Sequence, residues 1–197
     1  QRMSRGLGDV YKRQAPQTLK NSAGVSLMFR LIAALVLAFA FTVPATAQEA
    51  KRGLTPVTGD TYRWQNNFHY SFVVKTEVGI VVVDPINEGS AAALKDEIAK
   101  RFNQPVIALI YSHSHGDHAS GGKTLDAALA IAQENAPADI DGVTPDIRFG
   151  DRMSMNLGGK TFELNWLGKG HGEDLIAVIV RPENVALPGP FSIKLCT

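Results

Sequence analysis

The run Val106-Ile107-Ala108-Leu109-Ile110-Tyr111 leads directly into Ser112-His113-Ser114-His115-Gly116-Asp117-His118. An apolar, β-branched stretch of this length reads as a buried strand, and the polar heptad after it must be the loop at the strand's end. Three of the chain's five histidines fall in that heptad. Two imidazoles at i and i+2 can point to one side while Asp117 and His118 turn toward a neighbouring position. Neutral imidazole suits zinc, and the nearby carboxylate suits a second metal or an oriented water. The competing reading is a polar surface loop or a set of core histidines bonded to backbone, and the concentration of imidazoles in seven residues argues against it.

The pattern His-x-His-x-Asp-His at 113–118, an earlier strand ending in Asp84, and the later Gly168-Lys169-Gly170-His171-Gly172-Glu173-Asp174 together resemble the metallo-β-lactamase superfamily of metal-dependent hydrolases. The resemblance runs from about Leu54 to about Ala186. It implies an α/β fold, the αββα metallo-β-lactamase sandwich, represented mainly by its N-terminal half. It also implies that His113, His115 and His171 hold one metal, with Asp117 and His118 contributing to a second. The implied cofactor is zinc, one or two ions, with iron as the alternative. Asp84 is the candidate for orienting a ligand through its other ring nitrogen. It also reads as a strand-ending turn residue before Pro85, and the two roles are compatible.

The overall composition is slightly basic, with 20 Lys/Arg against 19 Asp/Glu, but the charge is unevenly placed. Asp9-Val10-Tyr11-Lys12-Arg13-Gln14 resembles the translation of a sequencing adapter, so residues 1–27 read as a non-native leader. Met28 then begins a short basic stretch with Arg30, an apolar run from Leu31 to Val43, and the small-residue segment Pro44-Ala45-Thr46-Ala47. That order describes a signal peptide over 28–47 with cleavage before Gln48. The apolar run is shorter than the about 20 residues of a bilayer-spanning helix, which disfavours a membrane anchor. Residues 1–47 hold six Lys/Arg and one Asp/Glu, which leaves 14 basic against 18 acidic residues and a formal charge of −4. No basic stripe with interleaved aromatics remains, so nucleic acid is disfavoured as a partner. A small-molecule substrate and a periplasmic or secreted location are expected, with no membrane association after cleavage and no indication of oligomeric state. The single cysteine, Cys196, permits no intrachain disulfide.

Strand and helix signals alternate along residues 48–186, the expected domain. Tyr70 to Thr76 and Ile80 to Val83 read as a hairpin, the second run apolar throughout and so covered on both faces. Ala91, Leu94, Ile98 and Phe102 recur at helical spacing over 90–102. Lys123 to Ala130 reads as a short helix. Residues 130–136 suggest a short strand and turn, with Gln133 near a position where relatives often carry histidine. Met153, Met155 and Leu157, then Phe162, Leu164 and Trp166, alternate with polar residues about Gly158-Gly159, a hairpin with one buried face. It leads to the His171 loop and the apolar strand 175–180.

The chain departs from the family after Ala186. The family usually supplies a bridging Asp or Cys there, whereas Ala186-Leu187-Pro188-Gly189-Pro190-Phe191 offers no ligand and its prolines predict a broken strand. The expectation is a domain incomplete at its C-terminus with a divergent tail over 187–197, and no ligand role for Cys196. Three functions follow. The first is a zinc hydrolase using metal-activated hydroxide, oriented by Asp117 as the catalytic residue, on an ester, thioester, lactone or β-lactam. The second is an iron-dependent oxidoreductase of the persulfide dioxygenase type on the same scaffold. The third is an inactive, truncated metal-binding fragment. His69 reads as a core or rim residue, and Trp64 and Phe68-His69-Tyr70 as core or pocket lining.

Overall fold

Ile80–Val83 is buried at all four positions, and this strand is the middle of the molecule. The computed structural model describes residues 49–188 and 193–194; the expected leader, signal peptide and Cys196 lie outside the described residues. The first sheet has seven strands: β1 (Arg52–Thr58), β2 (Thr61–Asn66), β3 (His69–Lys75), β4 (Ile80–Val83), β5 (Val106–Ile110), β6 (Ala130–Gln133) and β7 (Ile147–Phe149), adjacent in that order. The first four form an antiparallel meander, and β4 to β7 run parallel. A parallel step needs a crossover, and between β4 and β5 it is helix α1 (Glu88–Phe102). Asn87 caps that helix by accepting the Ser90 N–H at 2.9 Å.

One face of this sheet receives α1. Ala91, Leu94 and Ile98 pack with Val73, Ile80, Val82 and Leu109, each buried Leu or Ile contributing about 1.5–3 kcal/mol of apolar transfer. The other face carries Phe72, Val74, Val81, Val83 and Ile110 onto a second sheet. That sheet has five strands, in the order β12-β11-β10-β9-β8, formed by β8 (Arg152–Leu157), β9 (Lys160–Trp166), β10 (Ile176–Arg181), β11 (Val185–Pro188) and β12 (Ile193–Lys194). Phe162, Leu164, Ile176, Val178 and Val180 point inward from it. The layers are therefore helix, sheet, sheet, as an αββα sandwich requires on this side. No helix among the described residues is long and apolar enough to cross a membrane.

Two local expectations change. The helix expected over 123–130 ends five residues early: α3 (Gly122–Leu125) stops at Asp126, which takes a left-handed conformation. Ala130 instead begins β6, because pairing with β5 at Leu109↔Ala130 outweighs the helix preference of three alanines and a leucine. The strand expected to break after Ala186 continues to Pro188, which pairs with Ala177, and Leu187 is fully buried. Proline at a strand's last position forfeits no more than one ladder donor.

Candidate metal centre

The parallel strands β4 and β5 end side by side, and their carboxyl ends deliver the site. The Asp84 N–H continues the ladder to the Ile110 carbonyl at 3.0 Å. The backbone then leaves the sheet through two unusual residues, Asp84 at φ 64 and Ile86 at φ 74. A buried β-branched residue in the left-handed region is strained by a few kcal/mol and persists only where its surroundings hold it. Here the Ile86 N–H bonds the His118 carbonyl at 2.8 Å, which ties the Asp84 turn to helix α2 (Gly116–Ala119).

Asp84 is buried and its carboxylate takes two bonds from Ser112: the backbone N–H at 2.7 Å and the hydroxyl at 2.5 Å. Because the Ser112 hydroxyl donates to Asp84, its oxygen accepts from His113 Nδ1, 2.9 Å away. This relay assigns the proton of His113 to Nδ1 and leaves Nε2 a bare lone pair. His113 Nε2 is buried and has no hydrogen-bond partner among the described residues. Burial, reinforced by the charges of His118, His115 and His171 against the opposing pull of Asp84, lowers the His113 pKa and favours the neutral ring.

His171 reaches the same place from the second sheet. Its loop leaves β9 and returns to β10, and three bonds set its position: Leu167 N–H to the Leu175 carbonyl, Ile176 N–H to the Ser112 carbonyl, and Trp166 Nε1 to the Glu173 carbonyl, each at 2.9 Å. His115 Nδ1 and His171 Nε2 stand 3.2 Å apart. The rings of His113, His115 and His171 are mutually within 4.6–5.1 Å, centroid to centroid. Their ligating nitrogens form one compact group, each within 4.8 Å of the others. Tautomer, burial and an orphaned nitrogen all fit a divalent metal of the zinc type, held by three imidazoles.

Asp117 and His118 lie beside this group, joined by a residue that the sequence places at the core or rim. His69, the first residue of β3, places Nε2 3.2 Å from Asp117 Oδ2, and His118 Nε2 lies 4.0 Å from the same oxygen. His118 Nδ1 faces Asp84 Oδ2 at 3.5 Å. Burial opposes charge on His118, but the close approach of Asp84 and the charges of Asp84 and Asp117 outweigh it and raise its pKa. Asp117 is lowered: slight burial opposes this, and its own backbone bond, His118 and His69 prevail. All five histidines of the chain thus meet at one sheet edge.

Each sequence candidate is accounted for by position. His113, His115 and His171 come together, Asp117 and His118 adjoin them, and Asp84 reaches His113 through Ser112, not directly. His69 is half-exposed at the rim and faces Asp117, with no place in the core. Ser112 went unassigned, although a hydroxyl immediately before the first histidine, at the end of a buried strand, is the signal that identifies it. Trp64 is core, its indole N–H bonding Ser90 Oγ at 2.9 Å, while Phe68 is 92% exposed at the hairpin tip. Gln133 is buried in its own turn, accepting the Asn135 N–H, and does not join the cluster.

Comparisons with known proteins place the fold in a family. The family model described as "Metallo-beta-lactamase superfamily" matches residues 64–195. A metallo-beta-lactamase type 2 of Elizabethkingia meningoseptica is 30% identical over 149 residues, 68% of this chain and 57% of that protein. The 2,4-dinitroanisole O-demethylase subunit alpha of a Nocardioides species is 28% identical over 141 residues, 66% of this chain and 43% of that protein. The chain thus spans about half the length of these curated relatives. Among solved structures, a metallo-beta-lactamase from Pontibacter korlensis superposes with a TM-score of 0.64 at 20% identity, covering 71% of each chain. Fold, histidine motif and family model coincide on the same residues, and the chain belongs to the metallo-beta-lactamase superfamily.

Proposed function

We propose that the histidine cluster is the centre of a zinc-dependent hydrolase acting on a small ester, thioester, lactone or β-lactam. One observation carries the reading: His113, buried and locked by Ser112 and Asp84 into the tautomer that bares Nε2, faces His115 and His171. His113, His115 and His171 would hold the metal. Bound there, zinc would supply Lewis acidity and a water whose pKa is lowered toward about 7.

The chain's own groups do the rest. Asp117, held below the usual carboxylate range and 60% exposed, is a carboxylate acceptor at neutral pH, placed to orient an attacking water. The relay from His113 through Ser112 to Asp84 keeps a ligand ring from rotating. No serine or cysteine nucleophile is required. Export by way of residues 28–47 would set this chemistry against substrates met in the periplasm or outside the cell.

The test is zinc and iron content per chain by elemental mass spectrometry, followed by turnover of chromogenic ester, thioester, lactone and β-lactam substrates. Stoichiometric zinc with turnover is expected, with the ion held by His113, His115 and His171 and the turnover both lost in His113→Ala. Bound iron with oxygen consumption would move the centre to oxidoreductase chemistry. Zinc without turnover of any substrate would leave the metal-binding reading and remove the hydrolase.

A further inference from the structure

We propose that His69 is a further ligand of the second metal position that the resemblance implies at Asp117 and His118, beside that of His113, His115 and His171. The site would take a borderline divalent cation such as zinc. The inference rests on the reading that the histidine cluster binds metal, and extends it to a residue 48 positions upstream of Asp117.

The distances set the case. Tetrahedral zinc with ligands at about 2.0–2.2 Å separates its donor atoms by about 3.4 Å. His69 Nε2 and Asp117 Oδ2 stand at 3.2 Å, Asp117 Oδ2 and His118 Nε2 at 4.0 Å, and one donor atom from each residue lies within 4.8 Å of the other two. The His69 and His118 rings meet edge to face at 5.5 Å between centroids. His118 turns Nδ1 to Asp84, a carboxylate behind a ligand ring, and so presents Nε2 to the site. Side-chain exposures of 38% for His69 and 60% for Asp117 leave a coordination position open to solvent.

His69 is also held in place. It pairs with Asn66 across a two-residue turn, in which Asn67 adopts φ 57 and donates its N–H to the Lys51 carbonyl at 2.8 Å. The Gln65 amide bonds the Asn67 carbonyl at 2.8 Å. A hairpin fixed on both sides keeps its first inward residue in position. A hydrogen bond to Asp117 alone would not require His118 to offer the matching nitrogen on the other side of the same carboxylate oxygen.

The experiment loads the full chain with zinc by dialysis and counts metal, then repeats the count for His69→Ala and His113→Ala. A companion spectrum uses ¹¹³Cd and ¹⁵N-histidine labelling, in which scalar coupling reports direct ligation. About two zinc in the parent, about one in His69→Ala, and a cadmium coupling to His69 Nε2 are expected. The ion retained by His69→Ala shows that the variant folds. Two ions held by His69→Ala at unchanged affinity, or no coupling to His69, would overturn the proposal. One ion in the parent, lost in His113→Ala, would also overturn it while leaving the first centre standing. A parent that holds none would sink both readings.

Discussion

Ser112 shows how much one hydroxyl does at this centre. Its Oγ donates to Asp84 and accepts from His113, so Ser112→Ala strands a buried carboxylate oxygen and a ring N–H together. The cost is about 1–3 kcal/mol in a urea unfolding curve, and zinc affinity measured against a competing chelator should fall by about 10- to 100-fold. Unchanged affinity would mean that the relay does not position the ligand. The histidines of the heptad were legible because short spacing puts them in one loop whatever the fold. His171 became legible only with that motif in hand. His69 was not, since its place depends on register: Phe72 pairs with Val83, which carries the start of β3 past the end of β4 and toward α2. Sequence alone does not supply that offset.

At the scale of elements, apolar runs and helical periodicity marked β4, α1 and β5 to within two residues, since a wholly buried strand and an amphipathic helix have few alternatives. The short elements after the histidine loop were harder to read, because a four-residue helix has little period to detect. What holds them is close contact. Gly121, at φ 81, caps α3 with its α-carbon against the start of α1; an added Cβ would lie 2.4 Å from the Glu88 nitrogen and 2.6 Å from the Asn87 carbonyl carbon. Neither backbone atom can yield. Gly121→Ala should therefore destabilise the protein by about 2–4 kcal/mol, from left-handed strain plus overpacking. Thermal unfolding checks it, and a variant within about 0.5 kcal/mol of the parent would mean that the two helix starts part easily.

Over the whole molecule the two sheets are joined by charge at the end opposite the histidines. Lys160, at the start of β9, reaches Asp60 in the β1–β2 turn at 3.0 Å and Glu183 in the β10–β11 turn. Burial opposes its charge, but the bonds to Glu183 and Asp60 prevail and raise its pKa above the ordinary 10.5. A raised folded-state pKa stabilises fully below the unfolded value and is lost as pH rises through the folded one. The parent should thus lose stability relative to Lys160→Met as the pH rises above about 10.5. Parallel urea midpoints for the two proteins across that range would refute the linkage.

The strand order of the first sheet has a kinetic meaning. From β1 to β7 every strand lies against its neighbour in sequence, so each pairing within that sheet waits only for the next strand of the chain. The second sheet likewise closes on strands adjacent in sequence, β8 to β12. Contacts of short sequence separation form early and cheaply. The antiparallel meander β1 to β4 can therefore form first, and the parallel strands β5 to β7 add across longer connections. The histidine loop is placed when β5 docks, and His171 arrives last, when the second sheet closes over the first. Metal capture by all three imidazoles would then be a late event in folding, after both cores have formed.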